Sequence, residues 1–198
     1  MDDISRYLPL SRRERRDEND VTGDWSGHLS SALREFANLV DRLDATEWNG
    51  PSLRPRLTVA EVVSAATLAL QPREHRTFAV TDRVMAAARL RDLAGAYAAS
   101  HRRTRVTALT TAIVAVLDIA QATGHSVALD AMATGAVAVA RGARAPLGIR
   151  SILQDHRFHA VDADWNVGTG EVVDGSAGAI ILFLFERAGF PGARTAQA

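Results

Sequence analysis

The sequence predicts a mainly α-helical bundle completed at its C-terminal end by a small β-hairpin and a last helix. Three observations predict it. Four long segments repeat apolar residues at spacings of three and four, the period of a helix that buries one face. Capping and stop residues bracket those segments. Only from about Arg157 do short extended runs bounded by turn residues replace the helical period.

The first helix runs from about Trp25 to Leu43, with Leu29, Leu33, Phe36, Val40 and Leu43 on one face. A loop follows, rich in the turn formers Asn49, Gly50, Pro51, Ser52 and Pro55. Thr58 and Glu61 have the T-x-x-E spacing of a capping box, in which hydroxyl and carboxylate satisfy backbone amides left open at a helix start. Val59, Val62, Val63, Ala66 and Leu70 carry the second apolar stripe, and Pro72 closes it. A third helix is expected from about Asp82 to His101, burying Val84, Met85, Ala88, Leu93, Ala96 and Tyr97. The fourth spans about Val106 to Thr123, with Leu109, Ile113, Val116, Leu117 and Ala120 inward and Gly124 placed to end it. Asp130 to Ala140 gives a weaker, alanine-rich helical signal. Between Arg157 and Val173 two extended runs flank a turn-rich stretch and predict a hairpin. The apolar run Ala179 to Phe185 belongs to a final helix reaching Arg187. The resulting division is a tail over 1–22, a bundle over 23–145, and a hairpin with terminal helix over 146–198.

Composition excludes several function classes. The 23 basic residues, all arginine, balance 23 acidic ones, so no net field draws the chain to nucleic acid or an anionic membrane surface. The cluster Arg12, Arg13, Arg15 and Arg16 is offset by Glu14, Asp17, Glu18 and Asp20, which makes a self-neutralising tail. With no cysteine, the protein supplies neither a disulfide nor a catalytic thiol. No signal-peptide core follows the N-terminus and no apolar run is read as reaching the roughly 18 residues of a membrane span. A cytoplasmic location is expected. Arginine without lysine, together with abundant alanine, valine and glycine, points to a GC-rich genome. G-x-S-x-G, P-loop and dinucleotide fingerprints are absent.

Three segments carry a family resemblance. They are L-D-A-T-E-W-N-G-P-S-L-R-P-R-L-T-V-A-E-V-V from Leu43 to Val63, L-D-I-A-Q-A-T-G from Leu117 to Gly124, and V-D-A-D-W-N-V-G from Val161 to Gly168, followed by Gly170 and Gly175. In this order and spacing they resemble the DinB-like, mycothiol-dependent maleylpyruvate isomerase superfamily of actinobacteria, from the first helix to Arg187. The resemblance implies a DinB-like four-helix bundle. It also implies a divalent metal held by a histidine of the second helix and a glutamate and histidine one turn apart on the fourth, with mycothiol as the thiol cofactor.

Carried onto this chain, the ligand positions are Ala65, Thr111 and Ala115. Alanine has no lone pair and a neutral threonine hydroxyl is a poor sole ligand, so no metal is expected there. Arg54, Arg56 and Leu57 stand where family members show Cys, Gly and Trp. Nor do the histidines rebuild a site. Of His28, His75, His101, His125, His156 and His159, only the pair at 156 and 159 is close, and an odd spacing on a strand points the two to opposite faces.

The candidate site residues follow from that frame. Thr111, Ala115 and Asp118 share a helix face, with Ser64 and Ala65 opposite. Asp118 is the retained ionisable group, an acid or base if partly buried, or else a satisfied hydrogen-bonding group, the commoner use of a buried acid. His28 stands beside the first apolar stripe as a second titratable candidate or a boundary histidine. Trp165 either floors a ligand pocket or packs the hairpin on the bundle. Arg54 and Arg56 either clamp an anionic substrate at the mouth or are solvated charge. Asp162 and Asp164 read as turn residues more readily than as a carboxylate pair.

These residues predict a metal-free small-molecule enzyme, an isomerase, cyclase or group transferase, acting on an apolar or aromatic substrate. The alternatives are a non-catalytic small-molecule-binding or accessory protein, and a mycothiol-dependent transferase without metal.

Overall fold

The computed structural model describes residues 23–72, 82–100 and 103–191. The expected tail with its arginine cluster, His75, and the His101 end of the third helix lie outside these. In chain order the described elements are α1 (Ser26–Arg42), α2 (Ala45–Asn49), α3 (Val59–Leu70), α4 (Arg83–Ala98), α5 (Val106–Thr123), α6 (Ala131–Gly142), α7 (Leu147–Asp155), β1 (His156–Ala160), β2 (Trp165–Gly168), β3 (Glu171–Gly175) and α8 (Ala177–Leu184).

The chain is mainly helical. Helices α1, α3, α4 and α5 share one core, α1 touching α4 and α5 while α3 touches the same two. The stripes read from the sequence on α1, α3 and α5 are all buried. The capping box of α3 forms as its spacing requires: Glu61 N donates to Thr58 Oγ1 at 3.3 Å, and Thr58 N donates to Glu61 Oε2 at 2.7 Å. The Thr58 amide bond and a further one that the Thr58 hydroxyl donates to Glu61 Oε2 at 3.0 Å, in that order, hold the Glu61 carboxyl below its ordinary range.

Helix α4 differs from expectation. Val84 and Met85 are largely exposed and Ala88 and Ala96 face solvent, whereas Ala86, Ala87, Leu90, Leu93 and Ala94 are buried. Its inner face is built mostly of alanine, which lets α1 and α4 approach closely; Ser30 Oγ of α1 donates to Ala94 O at 2.8 Å. An alanine face carries little hydropathic contrast, so the larger Val84 and Met85 mislead the pattern.

Helix α5 corrects a second expectation. By length and composition it alone among the described helices could cross a membrane, at 18 residues with mean hydropathy 1.6. Its contacts explain that composition. It touches α1, α3, α6 and α8, and every residue from Ala112 to Ala120 is buried, so it has no long face left for water. Gly124, at φ 72°, ends it in the left-handed conformation.

The C-terminal unit is a three-stranded sheet of order β2-β1-β3 rather than a simple hairpin. β1 and β2 form an antiparallel hairpin with Phe158 opposite Val167, while β3 lies parallel to β1 on its other side with Phe158 opposite Val173. To get from one side of β1 to the other the chain has only Thr169 and Gly170. The crossing runs over the junction of α7 and β1, where Thr169 N donates to Leu153 O at 2.7 Å. A Cβ on Gly168 would lie 2.3 Å from His156 O, and one on Gly170 2.2 Å from Asp155 O; both glycines have φ near 90°. Only glycine fits such a step. Asp162 and Asp164 belong to the β1–β2 turn, and Asp162 Oδ1 accepts from Ala177 N at 2.7 Å, helping to start α8.

Candidate functional site

Asp118 sits on α5 with no exposed surface. Arg54, from the loop between α2 and α3, donates from Nε to its Oδ2 at 3.0 Å. Arg187, just beyond α8, brings its Nε to 3.9 Å from Oδ1, too long for a hydrogen bond. Both of those facing atoms are buried and without a hydrogen-bond partner. Burial pushes the Asp118 carboxyl above its ordinary range, and the Arg54 hydrogen bond, the Arg54 charge and the Arg187 charge oppose that in decreasing order. Arg54 is thus engaged through Nε with a buried carboxylate, and with Arg56 it lines a cavity of about 450 Å³ formed by the loop from Pro51 to Thr58. Arg56 stays exposed at the loop tip, in the left-handed region at φ 67°.

The ligand positions that the resemblance implies do not converge. Ala65 is exposed on α3, Ser64 is half-buried beside it, and Ala115 is wholly buried in α5. Thr111 is half-buried, and its hydroxyl donates to the Thr107 carbonyl one turn earlier at 3.0 Å. These residues do not fit a divalent ion, and among the described residues no three His, Asp or Glu side chains group as metal ligands.

Trp165 and His28 each hold two elements together. The Trp165 indole donates from Nε1 to Thr134 Oγ1 of α6 at 3.0 Å and packs over Gly135, where a Cβ would come within 3.2 Å of the ring. His28 Nδ1 lies 3.1 Å from Oδ1 of Asp130, the N-cap of α6, with its ring against Trp25. His156 and His159 diverge as their spacing requires: His156 packs against Phe158 and Phe190, and His159 pairs with Asp174 at 2.9 Å.

A different pair carries site geometry. A groove of about 300 Å³ runs between the C-terminal end of α5 and α8. Leu117, Ala120, Val127 and Leu182 form its apolar walls; Gln121, His125, Ser126 and Ser176 supply polar groups. The His125 ring meets Glu47 of α2 through Nε2, 3.2 Å from Oε1 and 3.4 Å from Oε2. Glu47 is itself fixed by the capping box of α2, in which Asp44 N donates to Oε2 and Glu47 N donates to Asp44 Oδ1, both at 2.8 Å. An imidazole oriented by a fixed carboxylate keeps one tautomer and offers its other nitrogen to a ligand. Both residues are about 70% buried, with 29% and 28% of their side chains exposed, so the pair is reachable yet shielded.

Sequence reasoning missed this pair because its members are 78 residues apart. One signal was present. Asp44 and Glu47 have the capping-box spacing, which predicts a fixed carboxylate at 47, though not what it would hold. Arg187 was likewise visible only as the end of the last helix. Compared with known proteins, the chain matches no family model, no curated protein and no solved structure.

Proposed function

We propose that this chain is a metal-independent small-molecule enzyme on a DinB-like four-helix scaffold, with its substrate in the groove between α5 and α8. One observation carries the proposal: an imidazole aligned by a fixed carboxylate opens into an apolar-walled groove. Small-molecule sites combine apolar walls with a few placed polar groups in this way. The shared core of α1, α3, α4 and α5 supports the scaffold, and the lack of donors at Ala65 and Ala115 supports operation without a metal. Asp118, sealed and ion-paired, serves to fasten the loop and the C-terminal segment rather than to exchange protons with substrate.

That same sealing of Asp118 favours one further reading, a non-catalytic protein that sequesters a small molecule. Protein NMR with a panel of small aromatic and aliphatic ketones, acids and alcohols tests the groove. Ligand-induced shifts at Gln121, Val127 and Leu182 are expected, and Ala179→Trp, which fills the groove, abolishes them. Shifts elsewhere, or shifts unchanged in that variant, rule the groove out. Elemental analysis tests the rest: a stoichiometric divalent ion seated between α3 and α5 overturns the metal-free assignment.

A further inference from the structure

We propose that His125 is a general base for a small, largely apolar carbonyl compound bearing an acidic C–H beside its carbonyl, with Glu47 as the residue that positions it. The proposal rests on the groove being the substrate site and adds the reaction and the substrate class. Glu47 accepts from Nε2, which leaves the Nδ1 lone pair of a groove-lining ring as the basic atom. Among the described residues Nδ1 makes no hydrogen bond or ion pair, in contrast to the ring nitrogens of His28 and His159, each tied to an aspartate through Nδ1. The carboxylate that orients the ring is held from behind by the Asp44 amide, so the pair does not reorganise when a proton arrives.

The surroundings select the substrate. Leu117, Ala120, Val127 and Leu182 favour an apolar body. The side-chain amide of Gln121 and the hydroxyls of Ser126 and Ser176 are neutral donors suited to a carbonyl oxygen on which negative charge develops. Ser176 Oγ accepts from Ala179 N at 3.2 Å, which fixes the oxygen and leaves its proton to donate. In the reaction Nδ1 takes the proton of the C–H next to the carbonyl. The electron pair of that bond forms a carbon–carbon double bond and the carbonyl oxygen takes the negative charge. Glu47 stabilises the imidazolium, which then returns its proton to that oxygen or to another carbon of the same molecule. Atoms and electrons balance as an isomerisation without oxidant, reductant or second substrate.

Acetophenone is the probe. Exchange of its methyl protons in deuterium oxide, followed by proton NMR, is measured with the full chain, His125→Gln, Glu47→Gln and Ala179→Trp, each shown to be folded by circular dichroism. The full chain is expected to accelerate exchange about a hundredfold over His125→Gln, within the usual range for a positioned base. Ala179→Trp is expected to show only the buffer rate. Nitrogen NMR of the His125 ring should find its proton on Nε2, and Glu47→Gln, whose amide both donates and accepts, should mix the tautomers and slow exchange. A proton on Nδ1 overturns the proposal. Acetophenone binding in the groove with equal exchange in the full chain and His125→Gln overturns the base while leaving a binding site, and absence of both binding and acceleration removes the groove as well.

Discussion

Arg54 and Asp118 lie 64 residues apart in sequence and meet in one buried hydrogen bond of 3.0 Å, from Nε to Oδ2. The guanidinium is part-exposed and the carboxylate is not, so the two ends of the bond have unequal stakes. Arg54 can return to water if the bond breaks, while Asp118 would keep only the more distant Arg187.

That asymmetry predicts a pH-dependent cost for Arg54→Ala. The Asp118 carboxyl is raised by burial, so the folded state holds its proton where the unfolded chain has released it. The stability this group contributes is fully present below the unfolded carboxylate range and is lost as pH rises through the raised folded value. Removing Arg54 takes away the strongest opposing influence and lifts that value further. The variant should lie close to the parent at about pH 4 and fall behind by about 3 kcal/mol at neutral pH, where the carboxylate is buried without its partner. Urea unfolding at the two pH values measures this, and a deficit independent of pH contradicts it.

Gly170→Ala should cost about 2 to 3 kcal/mol, since a left-handed backbone and a carbonyl 2.2 Å from the new methyl group act together. Gly178→Ala is the comparison: its Cβ meets only a Leu117 methyl group at 3.1 Å, which can shift. Thermal unfolding of the two variants should differ clearly, with Gly170→Ala the less stable.

Trp165→Phe keeps an aromatic ring over Gly135 but removes the Nε1 donor to Thr134. A loss of about 1 kcal/mol is expected for the bond, and Thr134→Val should cost a similar amount. The double variant should cost less than the sum, because both changes remove the same interaction.

His28→Ala should change stability by less than about 1 kcal/mol, the range of partly exposed ion pairs. Asp130 Oδ1 still accepts from Ala133 N in the variant, so α6 keeps its cap. Loss of the acetophenone exchange activity in this variant would place His28 in the chemistry, as its sequence position allows.

Helices whose apolar side chains are large were legible in the sequence almost to the residue: α1, α3 and α5 follow from Leu, Val, Ile and Phe at helical spacing. Where alanine does the packing, as on α4, the face was lost while the helix was kept. Helix α7 buries only Ile149 and Leu153, a stripe too short to stand out. Strand β2 was hidden because Trp165–Gly168 falls in the stretch read as turn-rich, and the extended run at Glu171–Val173, read as the hairpin partner of β1, pairs with it in parallel instead, which no local turn signals. For the candidate site, Asp118 was legible as a buried acid on α5. Its partners Arg54 and Arg187, and the meeting of Glu47 with His125, depend on tertiary placement that spacing does not encode.

The step from β2 to β3 has consequences for how the end of the chain is assembled. Thr169 and Gly170 span the gap with no slack, so β3 cannot slide by a residue against β1 without tearing the link away from the Leu153 carbonyl. Slippage by one position would also turn Val173 away from its neighbour Phe158 and bring Val172 or Asp174 opposite it instead. The short strap therefore acts as a length gauge, setting how far along the sheet α8 begins and so which of its apolar side chains reach α5 and α6.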